Sequence, residues 1–376
     1  MVKPEIKFIN HYPFLFINID SPIIAVEAYI IKDINEIKKK DIGLDHLLEH
    51  ILANSYNKCN KNCLQYFKKK GIKNNAYVTN NVINYNISGF LENINIMLDY
   101  IYNITIRPEF DKEIIAREKK IVENELLIYI DNIDYDINNI ISKNLYNFNN
   151  FKFIQDYKLQ IENLEFYDYK YILNYYKKNY NNIIYIISGN TENIQDKIQK
   201  IFLKNSYKNN YFIKKNIDVN IFNYTKKIIF IKNENRKSSL IVFNFIINYS
   251  FSDLKSIYLE VISNILNNLF IKILRTEKKY IYSSKIYIKK YIYGVHLSIN
   301  LNTKNSNLIE TINTTIQIIN DIKEKKNYKE FIESSKKLFL IEYLTQKFNI
   351  YDFINFYAKQ YLFLIYGYNQ NIISRL

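Results

Sequence analysis

The chain has 376 residues, enough for two domains that each bury a hydrophobic core. Apolar residues make up 48% of it, which indicates a globular protein and excludes an intrinsically disordered one. The formal net charge is +15, but Lys carries most of the positive charge and Arg is scarce. Because Lys is a poorer ligand than Arg for bidentate phosphate contacts and no nucleic-acid motif is present, we expect no nucleic-acid partner.

The N-terminus and the cysteines indicate the compartment. The first residues, Met1-Val-Lys-Pro-Glu-Ile-Lys, form neither an apolar signal core nor an Arg-rich presequence. No apolar run reaches the roughly 18 residues of a membrane span, so we expect a cytoplasmic protein with no membrane partner. Cys59 and Cys63 are too few for a closed zinc site with four ligands. Reduced thiols are the favoured interpretation, and a disulfide or a metal role is the alternative.

The first half of the chain predicts strands and helices in alternation. The apolar run from Pro22 to Ile31 predicts a buried strand after about twenty residues of weak alternation. Helices are predicted at about 43–56 and 60–70, followed by a hairpin at 75–90 that turns at Asn80-Asn81. The remaining predicted elements are helices at about 91–106, 111–131 and 163–178, a strand at 183–189 and a helix ending near Phe202.

The second half repeats this order of elements in reduced form. Its predicted elements are strands at about 226–232 and 238–247, a helix at 253–275, a hairpin at 283–301 and three helices to about 367. We therefore predict an α+β fold of two related domains, each a mixed, mainly antiparallel sheet packed with helices. The predicted domains are 1–205 and 226–376, joined by a polar, Asn- and Lys-rich linker at 206–225.

The segment His46-Leu-Leu-Glu-His50 lies inside the first predicted helix and carries two of the four histidines of the chain. Side chains at i and i+4 lie on one face of a helix, so both imidazoles can reach one metal ion. Glu49 adjoins the same face and can act as general base toward water at the metal. An ordinary surface helix with exposed His and Glu is the alternative.

Glu125 is the candidate third ligand, on the helix predicted at 111–131. Glu118 lies seven positions earlier, two turns away on nearly the same face, whereas Glu123 points away and is expected to be solvated. We predict that Glu125 binds the metal and that Glu118 holds a ligating imidazole in its tautomer. For Glu118, a plain surface charge is the alternative. Two His and one carboxylate leave a coordination position open, as hydrolysis requires, and zinc, manganese or cobalt would fit such a site.

Several segments resemble the pitrilysin-type zinc metallopeptidases of family M16, whose signature is the inverted HxxEH motif. Gly43-Leu-Asp-His-Leu-Leu-Glu-His resembles the family segment Gly-Leu-Ala-His-x-x-Glu-His, and Gly71-Ile-Lys-Asn-Asn-Ala-Tyr-Val-Thr79 resembles its Gly-x-x-x-Asn-Ala-x-Thr strand. The run from Pro108 to Glu125 resembles the helix of the third ligand. Leu274-Arg-Thr-Glu-Lys-Lys-Tyr-Ile-Tyr-Ser283 resembles the segment Leu-Arg-Glu-x-x-x-x-x-Tyr-Ser.

The resemblance implies roles that the residues alone do not show. It implies one zinc ion per chain and assigns Arg275 and Tyr282 to the substrate near the scissile carbonyl, where both are suitable hydrogen-bond donors for an oxyanion. It also assigns Asn75 and Ala76 to an edge strand that pairs with an extended substrate. The fold is then half of an M16-like clamshell, as in mitochondrial-processing-peptidase-like subunits, and a homodimer or a heterodimer with a related chain is implied.

These observations predict a zinc endopeptidase that hydrolyses peptides or short unfolded segments. The alternative is a non-catalytic subunit that binds peptides or scaffolds a heterodimer of M16 type. The chain stops at Leu376, about where relatives continue into a last helix and strand, so we expect the second domain to lack its last elements.

Overall fold

The computed structural model describes residues 4–31, 37–60, 62–79, 82–132, 134–202, 222–223, 227–231, 237–247, 255–291, 294–324 and 329–346. The chain divides into two compact units, residues 1–213 and 214–376. All but two residues of the predicted linker at 206–225 lie outside the described residues. Within the described part of the chain, no helix is long and apolar enough to cross a membrane.

The described strands of the first unit form one six-stranded, mainly antiparallel sheet. Its strands are β1 (Glu5–Ile9), β2 (Tyr12–Asn18), β3 (Ile23–Ile31), β4 (Lys73–Val78), β5 (Val82–Phe90) and β6 (Ile183–Gly189). Their order is β1-β2-β6-β3-β5-β4, and only β2 and β6 pair in parallel. The mixed, mainly antiparallel sheet and the hairpin of β4 and β5 are as predicted, and β4 lies at an edge.

The described helices of the first unit pack against this sheet or against one another. They are α1 (Leu44–Ala53), α2 (Cys63–Lys68), α3 (Ile94–Ile106), α4 (Lys112–Ile130), α5 (Tyr135–Leu145), α6 (Asn149–Lys152), α7 (Tyr157–Phe166), α8 (Tyr169–Asn179) and α9 (Gln195–Phe202). The predicted single helix at 163–178 is wrong, because α7 ends at Phe166 and a new helix begins after Asp168. The Asp168 carboxylate accepts a hydrogen bond from the Tyr171 backbone N–H at 2.7 Å, an N-cap that starts α8.

The hydrophobic core lies between the helices and the sheet, and α1 is anchored in it. Leucine and isoleucine recur along α1 at helical spacing and are fully buried: Leu44, Leu47, Leu48, Ile51 and Leu52. On β5, Ile83, Tyr85 and Ile87 alternate toward the same core. Burying side chains of this size stabilises the fold by about 1.5–3 kcal/mol each. The apolar face of α1 is therefore fixed in the core. Its polar side chains His46, Glu49 and His50 stay partly accessible to solvent.

The second unit is smaller and repeats the sheet-and-helix plan. Its described strands β7 (Ser238–Ile247), β8 (Ile281–Tyr291) and β9 (Gly294–Lys304) form an antiparallel sheet in the order β7-β9-β8. Helix α10 (Lys255–Leu269) continues into a π-helical segment, Phe270–Glu277, and α11 (Leu308–Lys323) and α12 (Lys329–Gln346) follow. A core of apolar side chains from the sheet and the helices holds this unit together.

Two predicted elements of the second half differ from the structure. The strand at 226–232 is wrong, since its described residues, 227–231, form no regular structure. The apolar run that predicted it is exposed, with Ile228 81% and Phe230 86% accessible, so it is not packed in a sheet. The last predicted helix, ending near residue 367, lies outside the described residues.

The cysteines also differ from the favoured interpretation. Cys59 and Cys63 form a disulfide, so the expectation of two reduced thiols is wrong. The turn between them brings their Cα atoms to 4.7 Å, within the range that a disulfide requires. Both side chains are buried, and Cys63 is the first residue of α2.

Candidate metal centre

The candidate metal centre is built on α1 and α4, which pack against each other. One turn of α1 separates His46 from His50, and the centroids of their rings are 5.0 Å apart. Both side chains are partly accessible, 23% for His46 and 17% for His50, so the two imidazoles lie at the surface of the core.

Glu125 of α4 brings a carboxylate to both imidazoles. Its Oε2 atom lies 3.4 Å from His46 Nε2 and 3.5 Å from His50 Nε2. One ligand atom from each of the three residues lies within 4.8 Å of the others. Two imidazole nitrogens and one carboxylate oxygen are the protein ligands of many hydrolytic zinc sites, so this set of donors fits zinc.

The pKa of His46 also fits a metal ligand. Burial, together with the neighbouring His50, lowers the pKa of His46 to about 4. The imidazole is therefore neutral near pH 7, as metal binding requires. At His50, burial opposes the charge, yet the hydrogen bond that the ring donates to Glu118 and the nearby carboxylates raise the pKa above its ordinary value.

Glu49 lies on the same helix and is only partly accessible. Burial raises the pKa of Glu49 to about 7, with the carboxylates of Glu125 and Glu118 adding to the effect against the attraction of His50. A carboxylate with a pKa near the working pH suits proton transfer in both directions. Glu49 therefore has the chemistry of a general acid and base.

Glu118 contacts the imidazole of His50 from behind. Its Oε2 atom lies 3.2 Å from His50 Nδ1, and its side chain is only 2% accessible. Burial opposes ionisation of Glu118, but the hydrogen bonds from His50 and Arg117 lower its pKa below the ordinary value. A charged Glu118 accepts a hydrogen bond from Nδ1–H, so the proton of the His50 ring stays on Nδ1 and Nε2 faces Glu125 without one. The alternative of a plain surface charge is wrong for this buried residue.

Two further residues support this contact and were missed by the sequence analysis. Arg117 donates to Glu118 Oε1 from Nε at 2.9 Å and from Nη2 at 2.6 Å. Asn54 Nδ2 donates to the same oxygen at 3.3 Å and to the backbone carbonyl of His50 at 3.2 Å. The spacing of Asn54, four residues after His50, was a signal that could have identified it.

Replacing Arg117 with Gln should weaken zinc binding by about 10–100-fold, the usual cost of disturbing a residue that orients a metal ligand. The physical reason is the loss of the charge that keeps Glu118 ionised. Competition with a chromophoric chelator measures the affinity, and Lys120→Gln, an exposed residue of the same helix, is the matched control. Unchanged affinity in Arg117→Gln would exclude this role.

Asn75 and Ala76 lie on β4, at the edge of the six-stranded sheet and beside α1. Asn75 is exposed, whereas Ala76 is half-buried against the core. The outer edge of β4 faces no other described strand. Glu123 is exposed, as expected.

Arg275 and Tyr282 belong to the second unit, and both are exposed. Arg275 lies in the π-helical segment, and the Tyr282 side chain is 54% accessible. Tyr282 occupies an irregularity in the pairing of β8 with β9, between Ile281 and Ser283. Such bulges often redirect a side chain. The roles of this pair at the substrate stay predictions.

Comparison with known proteins gives two family matches and several similar structures. A sequence model described as Insulinase (Peptidase family M16) matches residues 35–152, and one described as Peptidase M16 inactive domain matches residues 168–338. No curated protein matches the chain. The second match lies outside the residues that carry His46, His50 and Glu125, so its description does not concern the candidate centre.

Three solved structures illustrate the similarity of fold. A protease from Helicobacter pylori has a TM-score of 0.77 at 14% identity, covering 98% of this chain and 91% of its own. An M16-like peptidase from Alicyclobacillus acidocaldarius has a TM-score of 0.72 at 13% identity, with coverages of 97% and 89%. A peptidase M16 inactive domain from Pseudomonas fluorescens has a TM-score of 0.76 at 10% identity, with coverages of 100% and 91%. At such low identity the similarity concerns the fold.

Proposed function

The chain belongs to the M16 family of peptidases, and from this premise we propose that it is a zinc-dependent endopeptidase. The observation that carries the proposal is the convergence of His46, His50 and Glu125 on one point, with Glu49 on the same helix. The two imidazoles and the Glu125 carboxylate would hold one zinc ion per chain.

Zinc, when bound, supplies a Lewis acid that makes water acidic enough to lose a proton near pH 7. Glu49 takes that proton as the water oxygen attacks the carbonyl carbon of the scissile peptide bond. Glu49 then returns the proton to the amide nitrogen, the C–N bond breaks, and the amine leaves. Glu118 keeps His50 in the tautomer that carries its proton on Nδ1, so the unprotonated Nε2 faces Glu125.

The substrate in this proposal is an extended peptide or a short unfolded segment. It adds as a strand to the outer edge of β4, where Asn75 and Ala76 lie, and main-chain hydrogen bonds hold it. Arg275 and Tyr282 donate hydrogen bonds to the oxyanion that forms on the carbonyl. We also propose that two copies, or this chain and a related one, form the working dimer, which sedimentation at several concentrations would test.

Hydrolysis of an internally quenched peptide of about ten to twenty residues, a length suited to strand addition, tests the proposed function. Cleavage should be abolished by a chelator and restored by zinc, and mass spectrometry of the products should show an internal cut. If the zinc-loaded protein binds the peptide without cutting it, the proposal of an endopeptidase is wrong and the alternative of a non-catalytic subunit takes its place.

A further inference from the structure

A column of side chains from α7, α8 and the break between these helices holds the segment that leads into α1. Its members follow each other at intervals of three or four residues and lie on one continuous face, although the chain is not helical between Phe166 and Tyr169: Gln160, Asn163, Tyr167, Tyr171 and Tyr175. All of them contact residues 39–45.

Two members of the column bind backbone carbonyls before α1. Asn163 Nδ2 donates to the carbonyl oxygens of Lys39 at 3.1 Å and Ile42 at 3.0 Å. The Tyr167 hydroxyl is shared between the carbonyl oxygens of Lys40, at 3.0 Å, and Ile42, at 2.9 Å. Tyr167 is fully buried. The backbone before the helix is thus held at three carbonyls, those of residues 39, 40 and 42.

The next two members bind carboxylates on the same segment. The Tyr171 hydroxyl donates to Asp41 Oδ1, and the Tyr175 hydroxyl donates to Asp45 Oδ1 at 3.1 Å. Asp41 and Asp45 are each only 7% accessible, so these bonds lie out of water. Burial raises the pKa of Tyr175 far above its ordinary value, which keeps the phenol protonated as a donor. Asp45 is the residue directly before His46.

Helix α1 depends on such external contacts because its own start is not capped by a side chain. Gly43 occupies the N-cap with φ +94°, and no side chain there bonds the first turn. A Cβ atom at Gly43 would lie 3.1 Å from Cβ and Cγ of Gln160, so Gln160 packs directly on this glycine. The positive φ favours glycine here, and a Cβ would also crowd the side chain of Gln160.

We propose that Tyr167 and Tyr175 are positioning residues that set the orientation of α1, and through it of His46, for the metal. The inference rests on the proposed zinc function. The helix start is held by Tyr167, between α7 and α8, and by Tyr175 on α8, while the far side of the centre is held through Glu118 of α4. Ligands of a metal must be kept within about 0.5 Å of their working positions, so bonds that fix the helix start act on metal affinity.

The double variant Tyr167→Phe/Tyr175→Phe tests the proposal, because it removes only two hydroxyl groups. Tyr169→Phe, at an exposed tyrosine that begins α8, is the matched control. We expect the double variant to bind zinc about tenfold or more weakly, the lower end of the range for residues that orient a ligand. The visible absorption of the cobalt-loaded protein should change as well, since it reports ligand geometry. The control should match the wild type in both measurements.

Thermal unfolding of the metal-free proteins separates positioning from general stability. The single variant Tyr175→Phe is measured beside the double variant, because it loses one bond and keeps the carbonyl contacts of Tyr167. Weaker zinc binding and an altered cobalt spectrum in a single variant that unfolds like the control support the proposal. Wild-type affinity and spectrum in both variants overturn it. If the wild type binds zinc and cuts peptide while the variants match it, only this inference fails; a wild type without zinc binding refutes the proposed function itself.

Discussion

Replacing Glu49 with Gln is expected to reduce peptide hydrolysis by about 10²–10⁴-fold, the usual contribution of a general base. The amide keeps the size of the side chain on α1 but cannot accept the proton of the attacking water. Because Glu49 is not one of the three converging ligands, zinc binding should stay close to that of the wild type. Rates with a quenched peptide and the zinc content of the same samples measure both effects.

The separation of activity from zinc content makes this variant informative. A Glu49→Gln protein that hydrolyses peptide at the wild-type rate would exclude Glu49 as the base. A variant that has lost its zinc as well would show that Glu49 holds the metal or the helix rather than transferring a proton.

Replacing Glu125 with Gln is expected to cost more than the roughly 10–100-fold loss of zinc affinity seen for residues that only orient a ligand. The variant removes the negative charge that lies 3.4 Å and 3.5 Å from the two imidazoles. Hydrolysis should fall in parallel, since a site with two ligands retains zinc poorly. Equilibrium competition against a chelator measures the affinity.

Glu123→Gln is the matched control for Glu125→Gln, because Glu123 lies on the same helix and is exposed. It removes the same charge from α4 without touching the centre. Equal losses of zinc affinity in the two variants would mean that general electrostatic attraction, and not coordination, explains the effect of Glu125.

Local spacing explains why the core of the candidate centre could be predicted from the sequence. His46 and His50 are one helical turn apart, and Glu118 and Glu125 are two turns apart, so the helix period alone places each pair on one face. The structure brings three of these side chains together and places Glu118 behind His50. Their role as zinc ligands or supports stays a prediction.

The supports that were missed depend on contacts that the sequence spacing does not encode. Arg117 directly precedes Glu118, and adjacent residues usually diverge on a helix, yet its long side chain folds back onto the carboxylate. Tyr167 and Tyr175 contact the start of α1 although more than a hundred residues of chain separate them from it. The helix predicted at 163–178 is interrupted before Tyr169, where the side chain of Asp168 caps the start of a new helix.

The most direct test of the central claim is a zinc titration of the metal-stripped protein in which bound zinc and peptide hydrolysis are measured in the same samples. The proposed centre predicts that the rate rises in proportion to bound zinc and stops rising at one zinc ion per chain. Full zinc loading without hydrolysis, or full hydrolysis before any zinc is bound, would contradict a zinc peptidase built on His46, His50 and Glu125.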